Sequence, residues 1–485
     1  MLPPAQYAPA AMVISGCLFC VSIILFRFLR YPTPEEYRSV LSPLGIIFVG
    51  GVTAFLTIVF SLFFGLDQAI LATACALGVA LSLVHPLCGI TLLISVLLLR
   101  PWEFLPTNES IAILPKLFSL LSILSWLIYH TRRNDFSLYW NQLATLLTTY
   151  LAWTLLSIIG SGGGTAGLSF FFERFYPVIF LWFAALHCVT TDHEVEALLK
   201  STYLSLVSIL VNAILFTNSL NPNQSIFTTR LQGLGYFGNS NDLAAIGVIA
   251  LPLILFPSKQ LTKKRSLRII PVTFIINTIL TFVTLSAIWL TKSRGALIAL
   301  SAMVFAYSIF TIRSTLIRFL MPVIIICITM VAVQFIERDA EDLLLSKQSR
   351  LYFAIAGLQM AKANPIFGVG MGNFEKEYEK YALVRIEHGE RSAHSSWIIP
   401  LAEGSILGLL LFCAFIGYGG VLAWKLRSQY PGITLAFIGY VIVMSFLSHT
   451  YLILPYLLVA IISLAARAAR TLPNSANKSL KVKSI

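Results

Sequence analysis

The sequence predicts an all-α fold: a polytopic bundle of transmembrane helices, with about 14 spans in a range of roughly 12–15. Three observations carry that expectation. Of the 485 residues, 57% are hydrophobic and only 11% charged, and the mean hydropathy is +0.83. Soluble domains carry about 25% charged residues, so this composition cannot cover a water-facing surface of such size. Apolar runs of helical length recur along the whole chain, broken by a single long polar island, 337–394.

The runs, in order, are 10–29, 44–64, 68–84, 86–100, 112–129, 141–159, 173–188, 201–217, 243–257, 268–291, 295–312, 318–336, 395–424, 433–449 and 452–466. Several fall short of the ~20 residues that cross a bilayer. The pairs around His85–Pro86 and Tyr451–Pro455 can be hairpins, re-entrant segments or kinked single spans. The first run lacks a basic region before it and is followed soon by another, so it reads as a span rather than a cleaved signal peptide. Four regions are expected: a bundle over 1–336 with short loops, the island 337–394, further spans over 395–466, and a short basic cytoplasmic tail, 467–485.

Lysine and arginine orient the bundle, because cytoplasmic loops collect them. Lys259, Lys263, Lys264, Arg265 and Arg268 mark the clearest cytoplasmic loop, and Arg132/Arg133, Arg313/Arg318, Lys425/Arg427 and the tail agree. Stepping span by span then places 101–111, 160–172, 218–242, 292–294 and 337–394 on the opposite, extracytoplasmic side. The island carries 8 Lys/Arg against 9 Asp/Glu. The net charge of +13 therefore reflects topology and contact with anionic lipid, and argues against nucleic acid as a partner. The seven cysteines all lie in apolar runs. Cys17 and Cys20 have redox spacing but no basic neighbour, so they read as small hydrophobes. The seven histidines are scattered, with no HExxH and no Cys/His pairs at ligand spacing, so no metal or cofactor is expected. Gly368-Val-Gly370-Met-Gly372 follows no strand and lacks the GKS/GKT ending of a nucleotide phosphate loop.

Three polar constellations remain, all on one side of this topology. The first runs from Arg230 through Asn239, Asn241 and Asp242 to the span that starts at Leu243. Ser240, Asn241 or Asp242 can cap that helix, whereas Arg230 stands among glycines without a nearby acid. The second is Thr291-Lys-Ser-Arg294-Gly295. Its cations run against the positive-inside trend, and guanidinium is a bidentate match for phosphate; the competing reading is snorkelling to lipid headgroups. The third is the island. Arg350 opens an amphipathic helix that ends at Asn364-Pro365, the glycines 368, 370 and 372 permit a folded loop, and Glu375–Arg391 reads as a solvated helix face. His394 lies where the chain meets the next span, followed by Ser395, Ser396 and Trp397, with Glu403 beyond. An imidazole there can act as general base for a hydroxyl, or can be merely hydrogen-bonded.

These motifs together resemble the O-antigen ligase/O-antigen polymerase superfamily of bacterial envelope glycosyltransferases. The matching features are Arg230 to Ala244, Ser293-Arg-Gly-Ala296, Asn364-Pro-Ile-Phe-Gly-Val-Gly-Met-Gly-Asn-Phe374, and His394-Ser395 followed by Glu403, Gly404 and Gly408. They cover about 228–410 in the family's order; the first two hundred residues match only as hydrophobic spans. The resemblance implies a GT-C-like enzyme of the inner membrane. It would move a glycan from a polyprenyl-diphosphate carrier to an acceptor hydroxyl on the periplasmic face, without metal. It further implies His394 as base, Arg230 and Arg294 as diphosphate clamps, Arg350 as a weaker acceptor-side group, and Asn239, Asn241 and Glu403 as substrate contacts. Two departures stand out: Ser395 where many relatives have Asn, and Ser405 where a glycine is expected, with Gly404 beside it. The short tail argues against the protein O-oligosaccharyltransferase branch. Lipid A-core and the growing glycan both remain open as acceptor, giving a ligase or a polymerase. A polyprenyl-glycan flippase is the rival from another class; it would show repeats and mid-span polar residues, which this sequence lacks.

Overall fold

A computed structural model describes residues 73–103, 113–220, 230–256, 270–327, 340–384 and 393–471, with short gaps inside these ranges. The expected spans 10–29 and 44–64, nearly all of 318–336, the basic loop around Lys263 and the end of the tail lie outside the described residues. Every described regular element is helical: α1 (Pro86–Leu99), α2 (Leu114–Arg133), α3 (Gln142–Gly160), α4 (Gly164–Cys188), α5 (Asp192–Leu220), α6 (Ser240–Leu255) and α7 (Ile270–Leu290). There follow α8 (Arg294–Thr311), α9 (Ala340–Ala363), α10 (Phe374–Tyr381), α11 (Ile398–Lys425), α12 (Pro431–Met444) and α13 (Ile453–Thr471). Among the described residues seven helices are long and apolar enough to cross a membrane, and three apolar helices are shorter: Ser240–Leu255, Phe274–Leu290 and Pro431–Met444.

Two of the short helices, α6 and α12, occupy the middle, whereas α7 is largely exposed. Helix α6 is packed by α5, α7, α8 and α12 and is buried from Leu243 to Ile254. A helix apolar on all faces is a core helix, which is why its sequence shows no amphipathic stripe. Glycine lets α12 approach: a Cβ on Gly439 would stand 2.7 Å from both Val248 Cγ1 and Met303 Sδ. At 14 residues, α12 rises only ~21 Å, well short of the ~30 Å hydrocarbon thickness. Met444 at its C-terminus and Ser240 at the N-terminus of α6 are buried, so these two ends stop inside the bundle. Beyond α12, Leu447, His449 and Thr450 are buried, whereas Phe446 is exposed.

The described loops gather at two ends of the bundle. At one end, Arg467 donates to Leu186 O and stacks on Tyr139 at 4.1 Å; Tyr430 donates to Asp192. At the other end meet 100–103, 160–164, 230–240, 290–294, the island and 444–452. The break at Pro86 is capped by His85, whose Nδ1 accepts from Leu87 N at 3.2 Å.

The island is mostly helix. α9 begins ten residues before Arg350 and ends at Ala363, where Asn364-Pro365 stops it as expected. α10 buries Phe374 and Tyr378, so only part of the charged run is solvated. A small core of Phe353, Met360, Phe374, Tyr378 and Ile399 fastens the island to the start of α11.

Candidate active site

The glycine-rich loop docks against a break in α11. Ser405 has φ 59° and ψ −167°, a region populated almost only by glycine, so the helix is interrupted about two turns after it starts. The carbonyls released there are taken up from outside: Val369 N donates to Ala402 O at 3.0 Å and Gly370 N to Glu403 O at 3.1 Å. Trp153 Nε1 of α3 donates to Gly404 O at 2.8 Å, and Ser405 Oγ donates to Pro365 O. Gly368 has φ 67°, and a Cβ there would lie 2.6 Å from Ala402 O. This explains the glycine expected at position 405: the backbone conformation belongs to glycine, and serine is held in it. Glu403 is buried; Oε1 accepts from Phe374 N at 3.0 Å, while Oε2 has no protein partner. It borders a small cavity of about 20 Å³ lined also by Tyr150, Ser157 and Tyr451, room for about one water. Its observed contact is therefore with the loop.

The remaining predicted residues gather around the segment between α12 and α13. Arg230 donates from Nε to Thr291 O and from a terminal nitrogen to Asn241 Oδ1, each at 3.1 Å. It thereby ties the first constellation to the second. Asn239 caps α6, its Oδ1 accepting from Asn241 N at 2.8 Å; the cap is Asn239 and not Ser240, Asn241 or Asp242, because only Asn239 has the extended backbone an N-cap requires. Lys292 takes a left-handed conformation and Ser293 caps α8, so Arg294 is the first residue of that helix. Its Nε is buried with no hydrogen-bond partner. A guanidinium donor left unpaired in the interior is costly unless a ligand completes it.

Arg350 stands over the Phe446 ring at 6.0 Å; a Cβ on Gly295, next to Arg294, would touch that ring at 3.7 Å. Burial lowers the pKa of Arg350 from the ordinary arginine value. Phe353, one turn along α9, meets the His394 ring at 5.8 Å. His394 itself has φ 47°, a left-handed conformation histidine tolerates better than most residues. The structure thus brings His394, Arg350, Arg294, Arg230 and Asn241 to one region, and sets Glu403 under the glycine-rich loop.

Two residues of this region escaped the sequence reading as a pair. His449 is 1% exposed. Its Nε2 meets Asp242 Oδ1 at 2.9 Å and its Nδ1 meets the Tyr440 hydroxyl at 3.0 Å. Its backbone N donates to Ser396 Oγ at 2.9 Å, and Ser396 Oγ donates to Leu447 O at 2.7 Å. Hydrogen bonds and one-residue steps therefore lead from Thr291 through Arg230, Asn241, Asp242 and His449 to Ser396, two residues past His394. The signal available in the sequence was a histidine beside a helix-breaking SHTY stretch. Its partner lies 207 positions away, which no local pattern announces.

The second, third and fourth motifs occupy one stretch, and that stretch is recognised as a whole. Residues 279–413 match the O-antigen ligase family. This bears out the resemblance to the O-antigen ligase/polymerase superfamily, in a chain whose described fold is helical and membrane-spanning. The matched stretch contains Arg294, Arg350, His394 and Glu403; Arg230, Asn241, Asp242 and His449 lie outside it. No curated protein matches the chain. The family implies ligase- or polymerase-like glycosyl transfer on lipid-linked glycans in a membrane.

Proposed function

We propose that the protein is an O-antigen ligase-like, metal-independent inverting glycosyltransferase of the bacterial inner membrane, its site facing the periplasm. The donor is a polyprenyl-diphosphate-linked glycan and the acceptor a hydroxyl of lipid A-core. The observation that supports this most is the joining of three separated motifs at one end of the bundle, with the Arg294 Nε buried and unpaired among them. The 337–394 island carries part of the site, and the helices of 1–336 and 395–466 hold it.

In this reading the acceptor oxygen attacks the anomeric carbon as His394 takes its proton. The bond from that carbon to the diphosphate oxygen breaks, and its electron pair leaves with the diphosphate. A single displacement inverts the centre. Charge grows on the leaving group, so Arg230 and Arg294 contribute most at the transition state. Arg230 is oriented by Thr291 O and Asn241, which fixes its fork without neutralising it. Arg350 attends the acceptor, and Asn239 and Glu403 shape the pocket floor.

The test is transfer by purified protein supplied with prenyl-diphosphate glycan and lipid A-core, beside His394→Ala. Loss of about 10²–10⁴-fold in the variant is expected for a general base; undiminished transfer by a folded variant removes His394 from the mechanism. Longer glycan on the carrier, with lipid A-core untouched, makes the enzyme a repeat-unit polymerase instead. Saturable donor binding without turnover by the unaltered protein points to a carrier of such lipids.

A further inference from the structure

Outside the family domain, one arginine shares the signature of Arg294. Arg174 lies in α4 with its Nε buried and without a hydrogen-bond partner. Among the described residues these two arginines alone have that feature. The other cations at this end are engaged: Arg100 pairs with Glu103 at 2.5 Å, and Arg230 is bound to Thr291 O and Asn241.

Arg174 is the eleventh residue of α4, ~15 Å along the helix from Gly164. Its guanidinium packs on Phe170 at 5.3 Å and lies within hydrogen-bonding reach of the Tyr236 side chain. Phe170 meets the Tyr451 ring edge-on at 5.5 Å, and Tyr451 closes the short turn that begins at His449. On its other flank Phe170 abuts the glycine-rich loop, where a Cβ on Gly372 would stand 2.8 Å from its ring. Arg174 therefore lies one ring, Phe170, away from both loops. Its neighbour Glu173 is exposed, and no described acid forms an ion pair with Arg174. A cation on a spanning helix without an acid partner is the expected mark of a ligand site.

We propose that Arg174 is a further anion-binding residue, contributed by the N-terminal half, which takes a phosphate oxygen of a lipid-linked substrate. The proposal rests on the reading of the site given above. The phosphate belongs either to the donor diphosphate or to a phosphorylated acceptor. Tyr236 holds the guanidinium in plane, and the Nε with one terminal nitrogen forms the bidentate fork that phosphate accepts.

The experiment measures binding rather than turnover. Full-length protein in nanodiscs is titrated with polyprenyl diphosphate lacking glycan, and separately with lipid A-core, for the unaltered chain, Arg174→Gln and Arg174→Lys. Loss of one charge-assisted pair weakens one arm by about tenfold or more in Arg174→Gln, with Arg174→Lys intermediate. Weakening on the prenyl-diphosphate arm assigns the donor; weakening confined to lipid A-core assigns the acceptor. Unchanged affinity on both arms in either folded variant overturns the proposal. Arg294→Gln serves as reference: if it loses diphosphate affinity while Arg174→Gln does not, the proposed function stands and this inference falls. If the unaltered protein binds neither lipid, the proposed function itself fails.

Discussion

Two junctions meet at one end of the bundle, and they use polar groups in contrasting ways. Where the glycine-rich loop meets α11, backbone amides and carbonyls satisfy one another, with Ser157, Ser405 and Trp153 completing the set. Where α6, α8 and α12 end, the bonds run through side chains, and Arg294 keeps a buried donor unspent. The first junction has a backbone satisfied like that of a structural clasp, with Glu403 Oε2 its unpaired acceptor. The second has the unsaturated pattern of a site that awaits an acceptor. Richness in polar residues is therefore a poor guide to function on its own; the unpaired remainder is the better one.

That contrast is open to direct attack. The largest expected effect is on the clasp. Gly368→Ala brings a Cβ within 2.6 Å of a backbone carbonyl at φ 67°. Left-handed strain of about 1–2 kcal/mol adds to overpacking of about 1–3 kcal/mol. A fall in thermal midpoint with loss of transfer is expected; full stability would show that the loop is free to move. Next comes Arg294→Lys, which keeps the charge and loses the fork. A loss of roughly 1.5–3 kcal/mol in transition-state stabilisation, read from kcat/KM with little change in stability, is expected for a charge-assisted bond. Unchanged kinetics would place Arg294 in the structural class.

Asp242→Ala is a milder break between the two classes. It leaves the buried His449 Nε2 without its partner, at a cost of about 1–3 kcal/mol. Both stability and activity are expected to drop, and His449→Ala combined with it should cost less than the sum of the two single changes. Strict additivity in that double-mutant cycle would show that the pair is not coupled. The smallest effect has the opposite sign. Ser405→Gly relieves about 1–3 kcal/mol of backbone strain and gives up one hydrogen bond of about 1 kcal/mol. A modest gain in thermal stability is expected, with transfer retained; destabilisation would mean that the Ser405–Pro365 bond outweighs the strain.

The sequence alone determined the class and the helices. Low charge and repeated apolar runs, each long enough for a helix, leave no other fold class. Proline and glycine marked the end of α9 and the loop after it, since both act on the local backbone. It also placed Arg230, Arg294, Arg350 and His394 on one side. Only the tertiary structure decided what these residues do to one another. Asn239 became a helix cap, and Glu403 an anchor for Phe374. His449 acquired Asp242 and Tyr440, and Arg174 emerged from an apolar helix as an unpaired donor. Hydrogen bonds between groups two hundred residues apart depend on how short helices stop inside the bundle. No local pattern encodes that depth, because it is set by the neighbours against which each helix packs.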